Sequence, residues 1–133
     1  MQLMNPKMIW ANFSVKDVAR THAFYTQLGF KPNGKNDHPQ LASFLLGDHG
    51  FVIHFFEQGS QIDEYLAPNT SGEIIFTLSA ETEAEIKEWV EKVNNAGGTV
   101  FQEAGRDETN HYSFGFADPD GHRFNVLLME EGM

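Results

Sequence analysis

The 133-residue chain contains no cysteine, so disulfide cross-links, thiolate metal sites and a cysteine nucleophile are excluded. Long apolar runs are also missing. No window approaches the roughly 18 uncharged apolar residues of a membrane-spanning helix, and the start MQLMNPKMIW has no basic segment followed by a long apolar run. These absences lead us to expect a cytoplasmic protein with no membrane partner. Basic residues are scarce, with 9 Lys and Arg against 19 Asp and Glu and a formal charge of −10. A nucleic-acid groove needs clustered cations, so no nucleic-acid partner is expected. Acidic surface also serves solubility and by itself does not specify a cationic ligand. There is no GxSxG elbow, no phosphate-cradling glycine loop and no HExxH helix, and Ser14, Ser79 and Ser113 have no base at motif spacing.

What the chain does have is an order of elements that occurs twice. In MIWANFSV, Ile9, Ala11, Phe13 and Val15 alternate with Trp10, Asn12 and Ser14, which predicts a strand with two unlike faces. Asp17 can cap a helix whose apolar contacts come from Val18, Phe24, Tyr25 and Leu28, with Gly29 as its stop. The loop KPNGKNDHPQ leaves room for a short strand near Phe30, and two strands, LASFLLG and GFVIHFFE, follow around the GDHG turn. After QGSQIDEYLAPNTSG, the one linker-like stretch, the same order restarts with EIIFTLSA. Thr82 and Glu85 fit a capping box, Ile86, Trp89, Val90 and Val93 form a helical stripe, and Gly97-Gly98 ends it. A short TVFQE strand, the loop AGRDETN and a hairpin turning on Asp118-Pro119-Asp120-Gly121 complete the second copy. The chain is therefore expected to be one α+β domain, residues 1–133, of two βαβββ modules at about 7–58 and 72–130, forming curved mixed sheets with the helices on their outer face.

The repeat gives meaning to His54, a lone histidine within the apolar run GFVIHFFEQ. Such a residue is ordinarily a core histidine with its ring nitrogens satisfied by neighbours. Matching Gly50 with Gly121 places His54 opposite Asn125, each in the middle of its module's last strand. The sets Phe51, Ile53, Phe55 and Phe124, Val126, Leu128 belong under the helices. The other face then carries Trp10, Asn12, Ser14, His54, Phe56, Glu73, Thr77, Ser79, Arg123 and Asn125. That mixture of aromatics and polar groups suits a ligand cleft, although a solvated sheet face or a dimer contact gives a similar pattern. His54 and Glu73 are the candidate catalytic pair, with the imidazole exchanging a proton and the carboxylate orienting it. Trp10, Asn12, Phe56, Thr77, Arg123 and Asn125 are the candidate ligand-binding set.

The tandem arrangement, the opening VKDVARTHAFYTQLGF, the AGG helix end and the closing FADPDGHRFNVLLME resemble the glyoxalase, bleomycin-resistance and extradiol-dioxygenase superfamily, also called vicinal oxygen chelate proteins. The chain is particularly similar to small bacterial proteins labelled predicted lactoylglutathione lyase. The resemblance covers nearly the whole chain and implies a small-molecule ligand and a homodimer. It leaves the reaction open, because isomerases, dioxygenases, thiol transferases and metal-free binding proteins share this scaffold. In metal-bearing members a facial His, Gln and Glu set holds Zn, Fe, Ni or Mn as a Lewis acid. Carried onto this chain, those positions fall on Trp10 or Asn12, His54, Ile75 with Glu73 nearby, and Asn125. Only His54 is a strong ligand in place, so no cofactor is expected, with His54 and Glu73 as the remnant that could still take a divalent metal. His22, His38, His49, His111 and His122 read as surface residues. The resemblance therefore implies a metal-free binding protein, with a metal-dependent lyase, isomerase or dioxygenase as the alternative.

Overall fold

The computed structural model describes residues 8–66 and 74–131. The chain forms two compact units, divided after Leu66, and each holds one helix and one four-stranded mixed sheet.

In the first unit, β1 (Ile9–Val15) leads into α1 (Val18–Leu28), followed by β2 (Lys31–Pro32), β3 (Leu41–Leu46) and β4 (Phe51–Glu57). Asp17 caps the helix as its sequence position suggests, its carboxylate accepting the Arg20 N–H at 3.1 Å. Gly29 ends it with φ 95°, a left-handed conformation costly to other residues. The sheet order is β1-β4-β3-β2, with β1 parallel to β4 and the other pairs antiparallel. One helix face, Val18, Thr21, Phe24, Tyr25 and Leu28, is buried. The Tyr25 ring stacks on Phe55 at 4.5 Å and lies beside Phe30 and Phe44. These aromatics commit Ile53 and Phe55 to the core and turn His54 the other way. Within the linker-like stretch, Gln61–Glu64 make one 3₁₀ turn, with Ile62 buried and the Asp63 carboxylate accepting the Gly59 N–H.

The second unit repeats this with β5 (Phe76–Ala80), α2 (Glu83–Ala96), β6 (Thr99–Arg106), β7 (Tyr112–Ala117) and β8 (Arg123–Leu128) in the order β5-β8-β7-β6. β5 is parallel to β8. The Thr82 hydroxyl accepts the Glu85 N–H at 3.0 Å, while the Glu85 carboxylate reaches the Glu81 N–H at 2.8 Å, one residue further back than a standard capping box. Phe114, Phe116, Phe124 and Val126 are fully buried, with Trp89 of α2 stacked on Phe116.

Two elements differ from the sequence expectation. β5 starts at Phe76 rather than at the head of EIIFTLSA, because its first ladder partner is Phe124 and Ile74 and Ile75 precede that pair. β6 runs on through Ala104-Gly105-Arg106, which were expected in a loop. Two register irregularities, between Val100 and Gln102 and between Gln102 and Gly105, bring Gly105 and Arg106 into pairing with Ser113 and Tyr112 of β7. The connection shrinks to a turn in which the Asp107 carboxylate accepts N–H groups of Thr109 and His111 and the Thr109 hydroxyl. Those bonds, the Thr109 hydroxyl foremost, hold the Asp107 carboxyl below the usual carboxylate range. The Asp118–Gly121 turn forms as expected. Buried Asp118 accepts the N–H groups of Asp120 and His122, each at 2.9 Å, and Gly121 takes φ 92°.

Candidate functional site

Register decides which side chains share the face opposite each helix. In the first unit, His54 is paired with Asn12 on β1 and with Ser43 on β3. The row continues to Asn33, whose side-chain amide donates to the Ser43 hydroxyl at 3.0 Å and whose backbone N–H donates to the Ser43 carbonyl. Asn36, at φ 54°, pairs its side-chain amide with both the N–H and the carbonyl of Ser43, each at 2.6 Å. It thereby acts as one rung of a missing strand. Asn33, Ser43, His54 and Asn12 thus form a continuous polar row across the sheet. Trp10 and Phe56 lie on the same face, and Val52, between Trp10 and Leu45 in register, is buried there.

His54 is half-buried, and among the described residues its ring nitrogens have no hydrogen-bond partner. Its contact is an edge-on approach to the Phe56 ring, centroids 5.6 Å apart. The ordinary alternative, a core histidine satisfied by its neighbours, does not describe this residue. Burial pushes its pKa below 6.5, favouring the neutral ring. A neutral imidazole with both nitrogens uncommitted offers one donor and one acceptor.

In the second unit the same place is held by Asn125, paired with Thr77 on β5 and Gly115 on β7. The correspondence read from the sequence between His54 and Asn125 is thus matched in register, Asn12 answering to Thr77 and Ser43 to Gly115. Phe101, which the sequence reading left out, covers this row. Val100 pairs with Phe116 and Gln102 with Gly115, so Phe101 is the extra residue of a bulge. A Cβ at Gly115 would lie 2.6 Å from the tip of the Phe101 ring. The Arg123 guanidinium stands over that ring, 4.3 Å from its centroid. The available signal was the lone glycine in YSFGFA, since glycine inside a strand marks a close approach. Glu73 lies outside the described residues.

The Glyoxalase/Bleomycin resistance protein/Dioxygenase superfamily profile matches residues 7–126. The chain belongs to this superfamily. Its relatives include metallothiol transferase FosB of Staphylococcus saprophyticus, 26% identical over 116 residues, which cover 86% of this chain and 71% of FosB. A hypothetical protein from S. aureus has the same fold with a TM-score of 0.80 and 30% identity, over 95% of this chain and 96% of that one. A lactoylglutathione lyase from Agrobacterium tumefaciens, 20% identical, matches with a TM-score of 0.64 over 91% and 92% of the two chains.

Against the divalent-metal chemistry of metal-bearing superfamily members, the donors here are the wrong kind. His54 is flanked in register by an amide and a hydroxyl, and the counterpart row supplies Asn125, Thr77 and a glycine. Among the described residues no group of three His, Asp or Glu side chains could hold an ion. Neutral amide and hydroxyl oxygens are poor partners for a transition metal, so this described set does not fit one. No helix among the described residues is long and apolar enough to cross a membrane.

Proposed function

We propose that the chain binds a small organic molecule on the open sheet faces and does so without a divalent metal. The observation that carries this reading is His54: half-buried, on the face turned from the helix, its nitrogens unpartnered among the described residues. Half-exposed and uncommitted to any described neighbour, its nitrogens remain available to an incoming ligand. Trp10 and Phe56 would supply apolar contact, and Asn12, Thr77, Arg123 and Asn125 would fix orientation. In the same reading the molecule works as a homodimer. Ile9 and Trp10 on edge strand β1, and Ile74 and Ile75 before edge strand β5, are 58%, 51%, 67% and 52% exposed, more apolar surface than a lone edge ordinarily shows.

A second reading is favoured by one observation, the similarity to metallothiol transferase FosB. In it, His54 is a ligand of a divalent metal and the chain is an enzyme. A thermal-shift screen with a catechol, a glutathione thioether and bleomycin, run with EDTA and with added Zn, Ni or Mn, separates the two. The binding reading expects stabilisation that survives EDTA and is lost in His54→Ala. Stabilisation that appears only with added metal and vanishes with His54→Ala would establish the second reading instead.

A further inference from the structure

The chain is acidic overall, with a formal charge of −10, yet the described strands that form the open face of the second sheet are built the other way. The sequences of β5, β7 and β8, FTLSA, YSFGFA and RFNVLL, contain no acidic residue in a chain that has 19. Glu103, the one carboxylate of β6, lines a groove with Lys87, Val90, Glu91 and Asn94 of α2 and so lies on the helix side. What the open face does carry is Arg123. Among the described residues its guanidinium makes no ion pair and no hydrogen bond. Arg106 behaves quite differently, bound by the Glu130 carboxylate at 3.0 Å and by the Asn110 carbonyl at 2.8 Å.

Arg123 is nevertheless held in place. Its guanidinium lies 4.3 Å from the centroid of Phe101, an arrangement attractive through the ring quadrupole. A guanidinium held by a ring and not by a carboxylate keeps its N–H groups available, and a planar or tetrahedral oxyanion can take two of them. Phe101 in turn is fixed by two features of the fold: the bulge that adds it to β6, and the missing side chain at Gly115 into whose place its ring fits. Asn125, two residues from Arg123, and Thr77 beside it in register offer further donors on the same face. Phe101, Gly115 and Arg123 together make a pre-positioned cation that no described carboxylate pairs with, although Asp118 and Asp120 stand in the turn that leads into it.

We infer that the Phe101–Arg123 stack over Gly115 is an anion-recognising site that takes a carboxylate or phosphoryl group of the ligand, with Asn125 and Thr77 completing its hydrogen bonds. This rests on the reading of the open faces as the ligand-binding surface. The stack selects by charge, whereas the His54 row has neutral donors and acceptors.

The test is a titration of the full chain with benzoate, phenylphosphonate, benzamide and benzylamine, followed by amide and arginine side-chain NMR signals. Both anions should shift Phe101, Gly115, Asn125 and the Arg123 Nε–H, with affinity about tenfold or more above that of benzamide and benzylamine. Benzoate binding tighter than phenylphosphonate would assign the carboxylate, and the reverse order the phosphoryl group. Arg123→Gln should abolish the preference for anions, bringing their affinity down to that of benzamide, while the amide spectrum stays that of a folded protein. Phe101→Leu should reduce the preference without removing it. If benzamide or benzylamine shifts these signals as strongly as the anions, or Arg123→Gln leaves the preference intact, the anion site is refuted while open-face binding stands. Anion shifts centred on Arg106 instead would likewise refute it. If no probe of any charge shifts a residue of either open face, the open-face reading fails and this inference falls with it.

Discussion

Substituting Gly115 by alanine should destabilise the protein through one identifiable collision. The added Cβ would lie 2.6 Å from Cζ, 2.8 Å from Cε1 and 3.1 Å from Cε2 of Phe101. Carbon atoms pack at about 3.5–4.0 Å, so the ring must withdraw by about 1 Å. The collision is with the far end of a half-buried side chain, which can tilt, and this places the cost at the lower end for overpacking, about 1–2 kcal/mol. In a chain of this size that corresponds to a fall in Tm of about 3–8 °C. Phe101→Ala alone should cost about 1–2 kcal/mol in lost apolar burial. Because the alanine ring collision disappears when the ring does, the double variant should be more stable than the sum of the two changes by about 1 kcal/mol. Urea denaturation of the four proteins measures this cycle. The Arg123 guanidinium lies over the ring, so its Nε–H signal should also be shifted upfield in the unmodified protein and lose that shift in Gly115→Ala. Additive energies, or a Gly115→Ala variant within about 0.5 kcal/mol of the parent, would refute the placement of the Phe101 ring.

Histidine titration by NMR should give His54 a midpoint below 6.5, since burial favours its neutral form. The unfolded chain then binds a proton that the folded one resists, so stability should fall as pH drops from 6.5 through the lowered midpoint and be unaffected above it. His54→Gln should remove that component, and an unchanged acid limb would show that another group causes it. Asn36→Ala deletes two hydrogen bonds to Ser43 and places alanine at φ 54°, so it should cost about 1–3 kcal/mol in denaturant melts. Purified without chelator, the protein should carry well under one equivalent of Zn, Ni, Fe, Mn or Co by elemental analysis. Stoichiometric metal lost in His54→Ala would overturn that expectation. Sedimentation at micromolar concentration should show a dimer weakened by Trp10→Ser, and a monomeric parent would remove the proposed role of the exposed edge residues.

By itself the sequence determined the repeat of elements and the two faces of each sheet. Caps at Asp17 and Thr82, left-handed glycines at 29 and 97, and period-two alternation in β1, β4 and β8 are local signals whose physics operates within a few residues. The equivalence of His54 and Asn125 was legible for the same reason, because a hairpin turn fixes register on both of its strands. Only the tertiary structure decided what surrounds those two residues. Asn36 standing in for a strand rung beside Ser43 depends on a loop folding back across seven residues. The Phe101 ring reaches Gly115 only because a bulge adds a residue to β6, and bulges leave almost no mark on composition. The unpartnered state of Arg123 among the described residues is likewise a sum over every neighbour in space, so a chain rich in acidic residues can still present a lone cation where its strands carry none.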